Sequence, residues 1–383
     1  MGVDVDILVG PPYPDNLDNR ATIYRIENLN LWLLKTRDIT FQKLKRIFSP
    51  WNSIDYILTR FHIFSEMETF SFRAFFFLKK LLKEKKYDII HDIQCLGWGL
   101  IPMKGYGIPI VSTVHHPLVM DRDADFLVDK TMWQFFTTIM FYPLIMQKKV
   151  INRLDRIITS SEVGCHELTN SYGLNPSKIS VVYNGMDVNL FNYTREEREE
   201  NSLLFVGNTE DYKKGLPYLF EALVMLPENV DLTIVDEGYP KRLSAYKVIK
   251  KLGLEKRVRF TGKINDKDLV HLYNIKTILV MSSLYEGFGL PAAEAMACET
   301  PVVATSAGAL VEVVEDGVTG ILVPPRDPVA LKDAILKLLK NKSIRVAMGK
   351  KGRIRVESNF AWPIAANNTL GVYRDVIYKY RVK

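Results

Sequence analysis

Short apolar runs alternate with helical stretches along the whole chain, and this alternation restricts the fold more than any other feature of the sequence. Strand and helix segments that alternate in this way are typical of a parallel sheet covered by helices on both faces. At 383 residues the chain is long for one hydrophobic core, so we expect two α/β domains. The candidate strands are residues 3–9, 87–91, 109–114, 156–159, 179–182, 202–206, 231–235, 258–261, 277–281, 301–304 and 321–323.

A charged segment marks the expected domain boundary. Residues 192–201 are polar, carry several charges and show no apolar period, which is typical of a linker between domains. We therefore predict two Rossmann-like domains, at residues 1–191 and 202–359. The remaining residues, 360–383, have the apolar spacing of a helix.

Composition places the chain among globular proteins and limits its ligands. Hydrophobic residues make up 47% and charged residues 25% of the sequence, which are ordinary values for a soluble protein. Cys95, Cys165 and Cys298 are scattered without metal-ligand or disulfide spacing, and the first residues lack a basic signal-peptide region, so we expect a cytoplasmic protein. The net charge of +7 favours anionic ligands or an anionic membrane surface, and the absence of any nucleic-acid-binding motif argues against a nucleic-acid partner.

A strand, a glycine-containing turn and a helix follow one another between residues 277 and 297. Gly287 and Gly289 allow the backbone to approach a ligand closely, and Pro291 suits the first turn of a helix. A helix that begins at the carboxyl end of a parallel strand presents free N–H groups and the positive end of its dipole. This turn is therefore predicted to bind a phosphate group.

Charged residues lie around this turn and on a second loop. Glu286 precedes the glycines and Glu294 lies on the following helix, where carboxylates can accept hydrogen bonds from sugar and ribose hydroxyls. The alternative is that both are solvated surface charges beside an ordinary strand–helix connection. The loop from Gly207 to Gly215 also joins a strand to a helix, and Lys214 in it is either a phosphate contact or a solvated lysine.

The order and spacing of these motifs resemble those of retaining glycosyltransferases of family 4, which have the GT-B fold. The resemblance is dense over the second half of the chain and loose over the first. It rests on the segments Asn184-Gly-Met-Asp187, Phe205-Val-Gly207, Lys214-Gly215, Val258-Arg-Phe-Thr-Gly262, Ser283 to Glu294, Thr300-Pro-Val-Val-Ala-Thr305, Gly308 and Glu312 to Asp327.

This resemblance implies an α/β protein of GT-B fold, with two Rossmann-like domains that face each other across a cleft. The carboxyl-terminal domain would hold a nucleotide-diphospho-sugar, the amino-terminal domain would hold the acceptor, and the helix at 360–383 would cross back onto the first domain. The resemblance also implies a retaining hexosyltransferase that needs neither a metal nor a cofactor. A UDP-, GDP- or ADP-sugar donor and a glycan, lipid-linked or small-molecule acceptor are all left open.

The resemblance also assigns roles to particular residues. Glu286 would bind hydroxyls of the donor hexose, Glu294 would bind the ribose, and Lys214 would stabilise the departing diphosphate. Gly262 would begin the nucleobase pocket, which continues through the backbone of Ile264. Together, the predicted donor-binding residues are Gly207, Asn208, Lys213, Lys214, Gly262, Ile264, Glu286, Gly287, Phe288, Gly289, Leu290 and Glu294.

Two adjacent histidines, His115 and His116, follow the strand 109–114 at its carboxyl end, where open α/β sheets bind ligands. The family often has a histidine here, near the donor sugar and the acceptor. Neighbouring side chains of an extended strand point to opposite sides, so only one faces the site, and we select His116. His115 and Asp121 are assigned to the acceptor, against the alternatives of a structural histidine and a charged surface loop. The predicted catalytic residues are Glu286, His116 and Lys214.

Two departures from the family pattern leave other functions open. Asn208 stands where the family usually has an arginine, which removes a positive charge beside the expected diphosphate unless Lys213 replaces it. The first strand runs directly into Gly10-Pro-Pro-Tyr-Pro14 without a preceding glycine-rich loop, so either the first strand–loop–helix unit is missing or the domain diverges. The alternatives are a nucleotide-sugar-binding protein without transfer activity and a GT-B epimerase or phosphorylase.

Two apolar segments raise the question of membrane contact. Residues 72–86 are aromatic and basic, and residues 132–146 are mostly apolar, but both fall short of the roughly 20 apolar residues that span a bilayer. We expect both to be buried helices of the amino-terminal domain. The lysines of the first segment could instead rest on anionic lipid, so peripheral membrane contact is a second expectation. They are Lys79, Lys80, Lys83, Lys85 and Lys86.

Overall fold

The structure is a computed structural model, and it describes residues 2–13, 20–28, 50–60, 66–127, 131–236 and 244–382. The chain divides into two compact units. The first unit comprises Met1–Ile158, Leu168–Ser180 and Tyr373–Lys383, and the second comprises Thr159–Glu167 and Val181–Val372. The domain bounds that we predict from the sequence stay predictions. Of the predicted loop at residues 10–14, the last residue lies outside the described part.

The described chain up to residue 181 contains strands in two groups. The strands are β1 (Asp6–Val9), β2 (Thr22–Arg25), β3 (Ile90–Ile93), β4 (Ile110–Val114), β5 (Arg156–Thr159) and β6 (Ile179–Val181). The helices are α1 (Pro50–Arg60), α2 (Glu66–Leu81), α3 (Leu100–Met103), α4 (Leu118–Phe126), α5 (Met132–Phe141), α6 (Leu144–Ile151) and α7 (Glu162–Tyr172). β1 and β2 pair in parallel, and β3, β4, β5 and β6 form a four-stranded sheet in that order.

The chain from residue 202 onward forms one parallel sheet. Its strands are β7 (Ser202–Val206), β8 (Asp231–Val235), β9 (Val258–Phe260), β10 (Ile278–Met281), β11 (Val302–Thr305) and β12 (Gly320–Val323). The described helices are α8 (Leu216–Met225), α9 (Ser244–Lys251), α10 (Asp266–Ile275), α11 (Leu290–Ala297), α12 (Leu310–Val313), α13 (Pro328–Lys340), α14 (Lys342–Asn359) and α15 (Trp362–Val382). The strand order is β12-β11-β10-β7-β8-β9, and every neighbouring pair is parallel.

The strand order of this sheet reverses between β9 and β10. β8 and β9 lie on one side of β7, whereas β10, the next strand in the chain, lies on the other side. The loops that follow β7 and β10 therefore leave neighbouring strands at the same edge of the sheet and run to opposite faces. In open parallel sheets the crevice at such a reversal is the usual ligand site.

The central strands of this sheet are buried on both faces. In β7, Leu203 and Phe205 belong to one buried cluster and Leu204 belongs to the other, as the two-residue period of a strand requires. All four residues of β10 are buried as well. A strand that is covered on both faces reads as a continuous apolar run, and this explains why the sequence identifies these strands.

The alternation in the sequence predicts this α/β architecture, and the structure confirms it. The strands predicted at 156–159, 202–206 and 231–235 have the predicted bounds. The strand predicted at 87–91 lies instead at Ile90–Ile93. The predicted strand ends before the polar Asp92, whereas the observed strand includes it. The buried carboxylate of Asp92 accepts hydrogen bonds from the Ser112 hydroxyl at 2.8 Å and from the Leu96 N–H at 3.2 Å.

The prediction of a buried helix over residues 132–146 is wrong. The helix breaks before Pro143, and α5, on its amino-terminal side, has no buried residue. Met132 is 82% exposed and Trp133 is 65% exposed. α2, in the other apolar segment, does bury Ala74 and carries the exposed lysines at its end. Among the described residues, no helix combines the length and the apolar character that crossing a bilayer requires.

The charged segment 192–201 is fixed to the second unit by hydrogen bonds. The Arg198 guanidinium donates to the Thr300 hydroxyl at 2.7 Å and to the backbone carbonyls of Tyr273, Lys276 and Cys298. Further along the segment, the N–H of Glu199 donates to the carbonyl of Ile275 at 2.7 Å. The polar residues that suggest a linker therefore pair with backbone groups at strand and helix ends, and the segment is part of the second unit.

A buried polar cluster joins α1 and α2 in the first unit. Asp55 on α1 accepts hydrogen bonds from the Arg73 guanidinium and from the Thr69 hydroxyl, both at 2.7 Å. The Glu66 carboxyl oxygen Oε1 is buried there without a hydrogen-bond partner. Burial, together with the neighbouring charge of Asp55, raises the pKa of Glu66 from 4.5 to about 7. Near neutral pH a substantial fraction of Glu66 is therefore protonated in the folded protein, whereas a solvated glutamate is ionised.

This raised pKa makes part of the folding stability depend on pH. The contribution is complete below pH 4.5, the unfolded pKa, and is lost as the pH rises through about 7. We expect Glu66→Gln to raise the free energy of unfolding relative to the wild type at pH 8. This gain should be about 1–2 kcal/mol larger at pH 8 than at pH 5. Comparison of urea midpoints at the two pH values tests this, and an equal effect at both would contradict it.

Candidate functional site

The loop after β7 ends in a turn that only glycine can complete. Residues Tyr212–Lys214 form a 3₁₀ turn, and the Asp211 side chain accepts a hydrogen bond from the Lys213 N–H at 3.0 Å. Gly215 follows with φ of 60°, and a Cβ atom there would lie 2.1 Å from the carbonyl oxygen of Ser282. The close approach of these two backbones and the positive φ together require glycine.

The loop after β10 is held by a second glycine contact. A Cβ atom on Gly308 would lie 2.2 Å from the carbonyl oxygen of Glu286, and Gly308 has φ of 57°. The same Glu286 carbonyl accepts a hydrogen bond from the N–H of Ala309 at 2.8 Å. Glycine at 308 therefore allows the chain before α12 to fix the backbone from which the Glu286 side chain projects.

Hydrogen bonds join the backbones of the two loops. The Lys213 carbonyl accepts a hydrogen bond from the Leu284 N–H at 2.6 Å, and the Lys214 carbonyl accepts one from the Ser282 hydroxyl at 3.0 Å. Both loops lie at the reversal of strand order between β7 and β10. The two loops thus form one rigid edge at the expected ligand crevice.

A lysine and a glutamate pair at this edge. The Lys214 Nζ atom lies 2.9 Å from Glu286 Oε2, and the Ser283 hydroxyl donates to the same oxygen at 3.2 Å. The side chains of Lys214 and Glu286 are only 19% and 13% exposed. The structure therefore brings two of the predicted catalytic residues into contact, with their charges mutually neutralised.

The glycine-containing turn after Glu286 leads directly into α11. Gly289 has φ of 99° and begins α11, and no side chain caps the helix there. Phe288 is buried and packs edge-on against Phe360, with ring centroids 5.4 Å apart. The Gly287 carbonyl accepts a hydrogen bond from the Ser161 hydroxyl at 3.2 Å. The buried ring anchors the turn while Leu290, 40% exposed, faces outward.

Glu294 lies one turn into α11 and has a fixed partner. Its Oε2 atom accepts a hydrogen bond from the Tyr273 hydroxyl at 2.7 Å. Burial raises the pKa of Glu294, whereas the Tyr273 hydrogen bond lowers it. Tyr273 itself is completely buried, and burial raises its pKa as well. One carboxyl oxygen is thus held in place by a buried tyrosine on α10.

The remaining predicted donor residues lie on loops of the same unit. The Gly207 N–H donates to the Val235 carbonyl at 3.0 Å, which ties the start of the β7 loop to β8. Asn208 is exposed, and its side-chain oxygen accepts a hydrogen bond from the Glu210 N–H at 2.9 Å. Asn208 therefore stabilises its own loop and supplies no charge. Gly262, with φ of 71°, has open space where a side chain would be.

Ile264 and Lys213 complete the predicted set in this unit. Ile264 is half-buried, and it lies in the connection between β9 and α10. Lys213 is half-buried, with its ammonium group 3.8 Å from the Asp211 carboxylate. That separation is at the outer limit of an ion pair, and this interaction holds the Lys213 charge near the turn that Asp211 caps.

The predicted acceptor residues lie together in the first unit. The His116 Nε2 atom is 2.7 Å from the Asp121 carboxylate, which lies on α4. The Gln94 side chain accepts a hydrogen bond from the His115 N–H at 2.8 Å and donates to the His116 carbonyl at 3.2 Å. Burial, with a smaller contribution from His116, lowers the pKa of His115, so its imidazole is neutral at pH 7.

Several residues of these sites are not among the sequence predictions. Tyr273, Ser283 and Gln94 make contacts that depend on the folding of distant segments, and their local sequence carries no signal of it. Ser283 lies inside a recognised motif but has no assigned role. Within the described ranges, no group of three histidine, cysteine or acidic residues is placed to hold a metal ion, and the expectation of a metal-free site stays a prediction.

Family models match both halves of the chain. The model described as "Glycosyl transferases group 1" matches residues 189–355. The model described as "Glycosyltransferase Family 4" matches residues 1–190. The two matches together cover residues 1–355 of the 383-residue chain.

Curated relatives carry transferase names. The chain is 33% identical to the MMP alpha-(1->4)-mannosyltransferase of Mycolicibacterium hassiacum, over 98% of this chain and 91% of that protein. It is 29% identical to the D-inositol 3-phosphate glycosyltransferase of Kribbella flavida, over 75% of this chain and 71% of that protein. Both relatives thus extend over both units of the chain.

Solved structures share the fold. Sucrose-phosphate synthase from Thermosynechococcus elongatus superimposes with a TM-score of 0.73 at 23% identity, over 99% of this chain and 90% of that one. HepE of Anabaena, in complex with UDP and glucose, gives a TM-score of 0.68 at 19% identity, over 93% of this chain and 86% of that one. At these identities the likeness shows the fold alone.

The contact between Lys214 and Glu286 generates a prediction about stability. Lys214→Met leaves a largely buried carboxylate without its cation, so we expect a loss of about 2 kcal/mol in the free energy of unfolding. Glu286→Gln in the same background removes the unpaired charge and should recover about half of that loss. Urea unfolding of the two single variants and the double variant gives the coupling energy. Strictly additive losses would show that the pair does not interact in solution.

Proposed function

The chain belongs to the family 4 glycosyltransferases of GT-B fold and uses a nucleotide sugar, and we propose that it transfers a hexosyl unit with retention of anomeric configuration. The acceptor is a glycan, a lipid-linked sugar or a small molecule. The single observation that best supports a nucleotide-diphospho-sugar donor is the contact of Lys214 with Glu286 beside the uncapped start of α11. This arrangement offers a cation, a carboxylate and a helix dipole at one point.

The charges at this edge match the parts of a nucleotide-diphospho-sugar. Lys214 and the amino-terminal end of α11 offer positive charge to the diphosphate. Glu286, released from Lys214 by the incoming phosphate, accepts hydrogen bonds from hydroxyls of the hexose. Glu294 accepts hydrogen bonds from the ribose, one helical turn further on. The Anabaena HepE structures contain UDP and UDP-glucose, and a relative is named a mannosyltransferase, so the base and the hexose are matters for experiment.

The proposed chemistry uses the leaving group as the base. The bond between the anomeric carbon and the phosphate oxygen breaks, and the acceptor oxygen forms the new bond on the same face. The departing phosphate takes the acceptor proton. Lys214 and the helix dipole stabilise the charge that develops on the diphosphate. Covalent catalysis by Glu286 would require its carboxylate to lie beside the anomeric carbon. The sugar-binding role requires only that the carboxylate accepts hydrogen bonds from hydroxyls of the hexose.

His116 and its partner Asp121 are proposed to bind the acceptor. The carboxylate fixes the orientation of the imidazole, and the Gln94 side chain fixes the backbone on both sides of it. A ring held in this way can donate or accept a hydrogen bond with an acceptor hydroxyl. We also propose that the protein works in the cytoplasm and touches an anionic membrane surface through the exposed lysines at the end of α2.

The donor assignment predicts a loss of nucleotide affinity on removal of one carboxylate. In a panel of UDP-, GDP- and ADP-sugars, we expect one class to raise the melting temperature of the wild type. Glu294→Ala should weaken binding of that class by about 10-fold or more, because hydrogen bonds to a charged group are lost. Glu255→Ala, on an exposed turn of the same unit, is the control. Unchanged affinity in Glu294→Ala would refute the ribose assignment.

The raised pKa of Glu294 predicts how donor binding depends on pH. Ribose hydroxyls donate to the charged carboxylate, so affinity falls as the pH drops through its pKa. The Tyr273 hydroxyl lowers that pKa, so Tyr273→Phe raises it, and affinity should begin to fall at a higher pH than in the wild type. Calorimetric titration with the nucleoside diphosphate from pH 8 downward measures the shift, with Tyr246→Phe as the control. With a 2′,3′-dideoxy nucleotide, which lacks the ribose hydroxyls, Tyr273→Phe and the wild type should show the same pH dependence of affinity. With the normal nucleotide, identical pH profiles of these two proteins would contradict the role of Tyr273.

A further inference from the structure

A cavity of about 430 Å³ lies in the first unit, and neither His115 nor His116 is among its lining residues. Arg25 ends β2, and the residues that follow it form one wall of the cavity, so the cavity opens at the carboxyl end of a parallel strand. This is the edge at which α/β sheets bind ligands. Its volume is within the range of small-molecule sites.

Aromatic rings from α1 and α2 form the apolar part of the cavity. Trp51, Phe76 and Phe77 line it, and the rings of Trp51 and Phe76 are 6.0 Å apart. Phe76 is 49% exposed, so part of its ring is accessible to a ligand in the cavity. These rings offer a flat apolar surface on which the carbon face of a ligand ring can lie.

Three cations line the same cavity. Arg73 is held in place by Asp55 at 2.7 Å and by Asn52 at 3.0 Å, and its side chain is only 9% exposed. Its Nε atom is buried without a hydrogen-bond partner. Arg25 rests over the Tyr13 ring at 5.3 Å, and Lys80 projects from the exposed end of α2. Glu27 also lines the cavity, so its lining carries three cations against one carboxylate, and this excess of positive charge suits an anion.

We propose that this cavity binds a hydroxylated ring that carries a phosphate group. The aromatic rings take the ring of the ligand, and Arg25 and Lys80 take the phosphate. The proposal rests on the proposed function, because it makes this ligand a part of the acceptor beyond the hydroxyl that His116 would bind. The same chemistry occurs in a free sugar phosphate and in the headgroup of a phosphorylated-ring lipid such as phosphatidylinositol.

The test measures binding of glucose 6-phosphate by calorimetry to the full chain. The wild type should bind it in a saturable way, and glucose alone should bind far more weakly. The double variant Arg25→Gln/Lys80→Gln should bind at least about 10-fold more weakly, because two charge-assisted contacts are lost. Lys148→Gln, which changes an exposed lysine of α6 outside the cavity, should bind as the wild type does. Equal affinity of the double variant and the Lys148→Gln control would overturn the proposal.

A parallel arm distinguishes the two sources of the ligand. Vesicles of phosphatidylinositol in phosphatidylcholine are sedimented with the same three proteins, and vesicles with the same fraction of phosphatidylglycerol, which carries the charge without the ring, are the control. Binding that prefers phosphatidylinositol and depends on Arg25 and Lys80 supports the cavity with a lipid headgroup as its ligand, and binding of glucose 6-phosphate alone supports it with a free sugar phosphate. If the wild type shows neither, the proposal is wrong.

The donor panel separates this proposal from the proposed function. Arg25→Gln/Lys80→Gln should keep the full thermal shift with the nucleotide sugar that stabilises the wild type, because its changes lie in the other unit. This result also shows that the variant is folded. A protein that binds glucose 6-phosphate through the cavity but is stabilised by no nucleotide sugar would refute the donor assignment and leave the cavity intact.

Discussion

The close approach of two loops at the reversal of strand order is the constraint on which the second unit and its proposed donor site depend. The loops after β7 and β10 are joined through the carbonyls of Lys213 and Lys214, and glycine at 215 removes the Cβ atom that would prevent the contact. Gly308 likewise lacks the Cβ atom that would collide with the backbone of Glu286. Because the backbones are fixed, the Lys214–Glu286 ion pair is placed by the fold and not by the flexibility of two long side chains.

Much of this arrangement can be predicted from the sequence because its signals are local. A buried parallel strand reads as an apolar run, a turn with positive φ requires glycine, and Pro291 suits the first turn of a helix. These signals identify β7, β10 and the loops that follow them. They also place Lys214 and Glu286 on those loops, although the contact between the two side chains follows only from the order of strands in the sheet.

The rest depends on contacts between distant segments, which a single sequence does not encode in any local pattern. Tyr273 is an ordinary apolar position of α10 in the sequence, yet its hydroxyl fixes Glu294. Asp92 is polar and still lies in a strand, because Ser112 satisfies its carboxylate. Apolar composition also misleads: residues 132–141 have the composition of a buried helix, and α5 is nevertheless exposed, since composition does not reveal whether the fold supplies a covering element.

The Lys214–Glu286 pair also bears on which ligands the proposed site would accept. Both side chains are largely withdrawn from water, so a ligand that takes only one of them leaves the other charge with neither its partner nor full hydration. A free phosphate would bind Lys214 and leave Glu286 without a partner. A free sugar would bind Glu286 and leave Lys214 without one. A diphosphate joined to a hexose replaces both partners at once, because it carries the anion and the hydroxyl donors together. The pair therefore favours the intact donor over either of its parts, and once transfer removes the hexose, re-formation of the ion pair would assist release of the nucleotide.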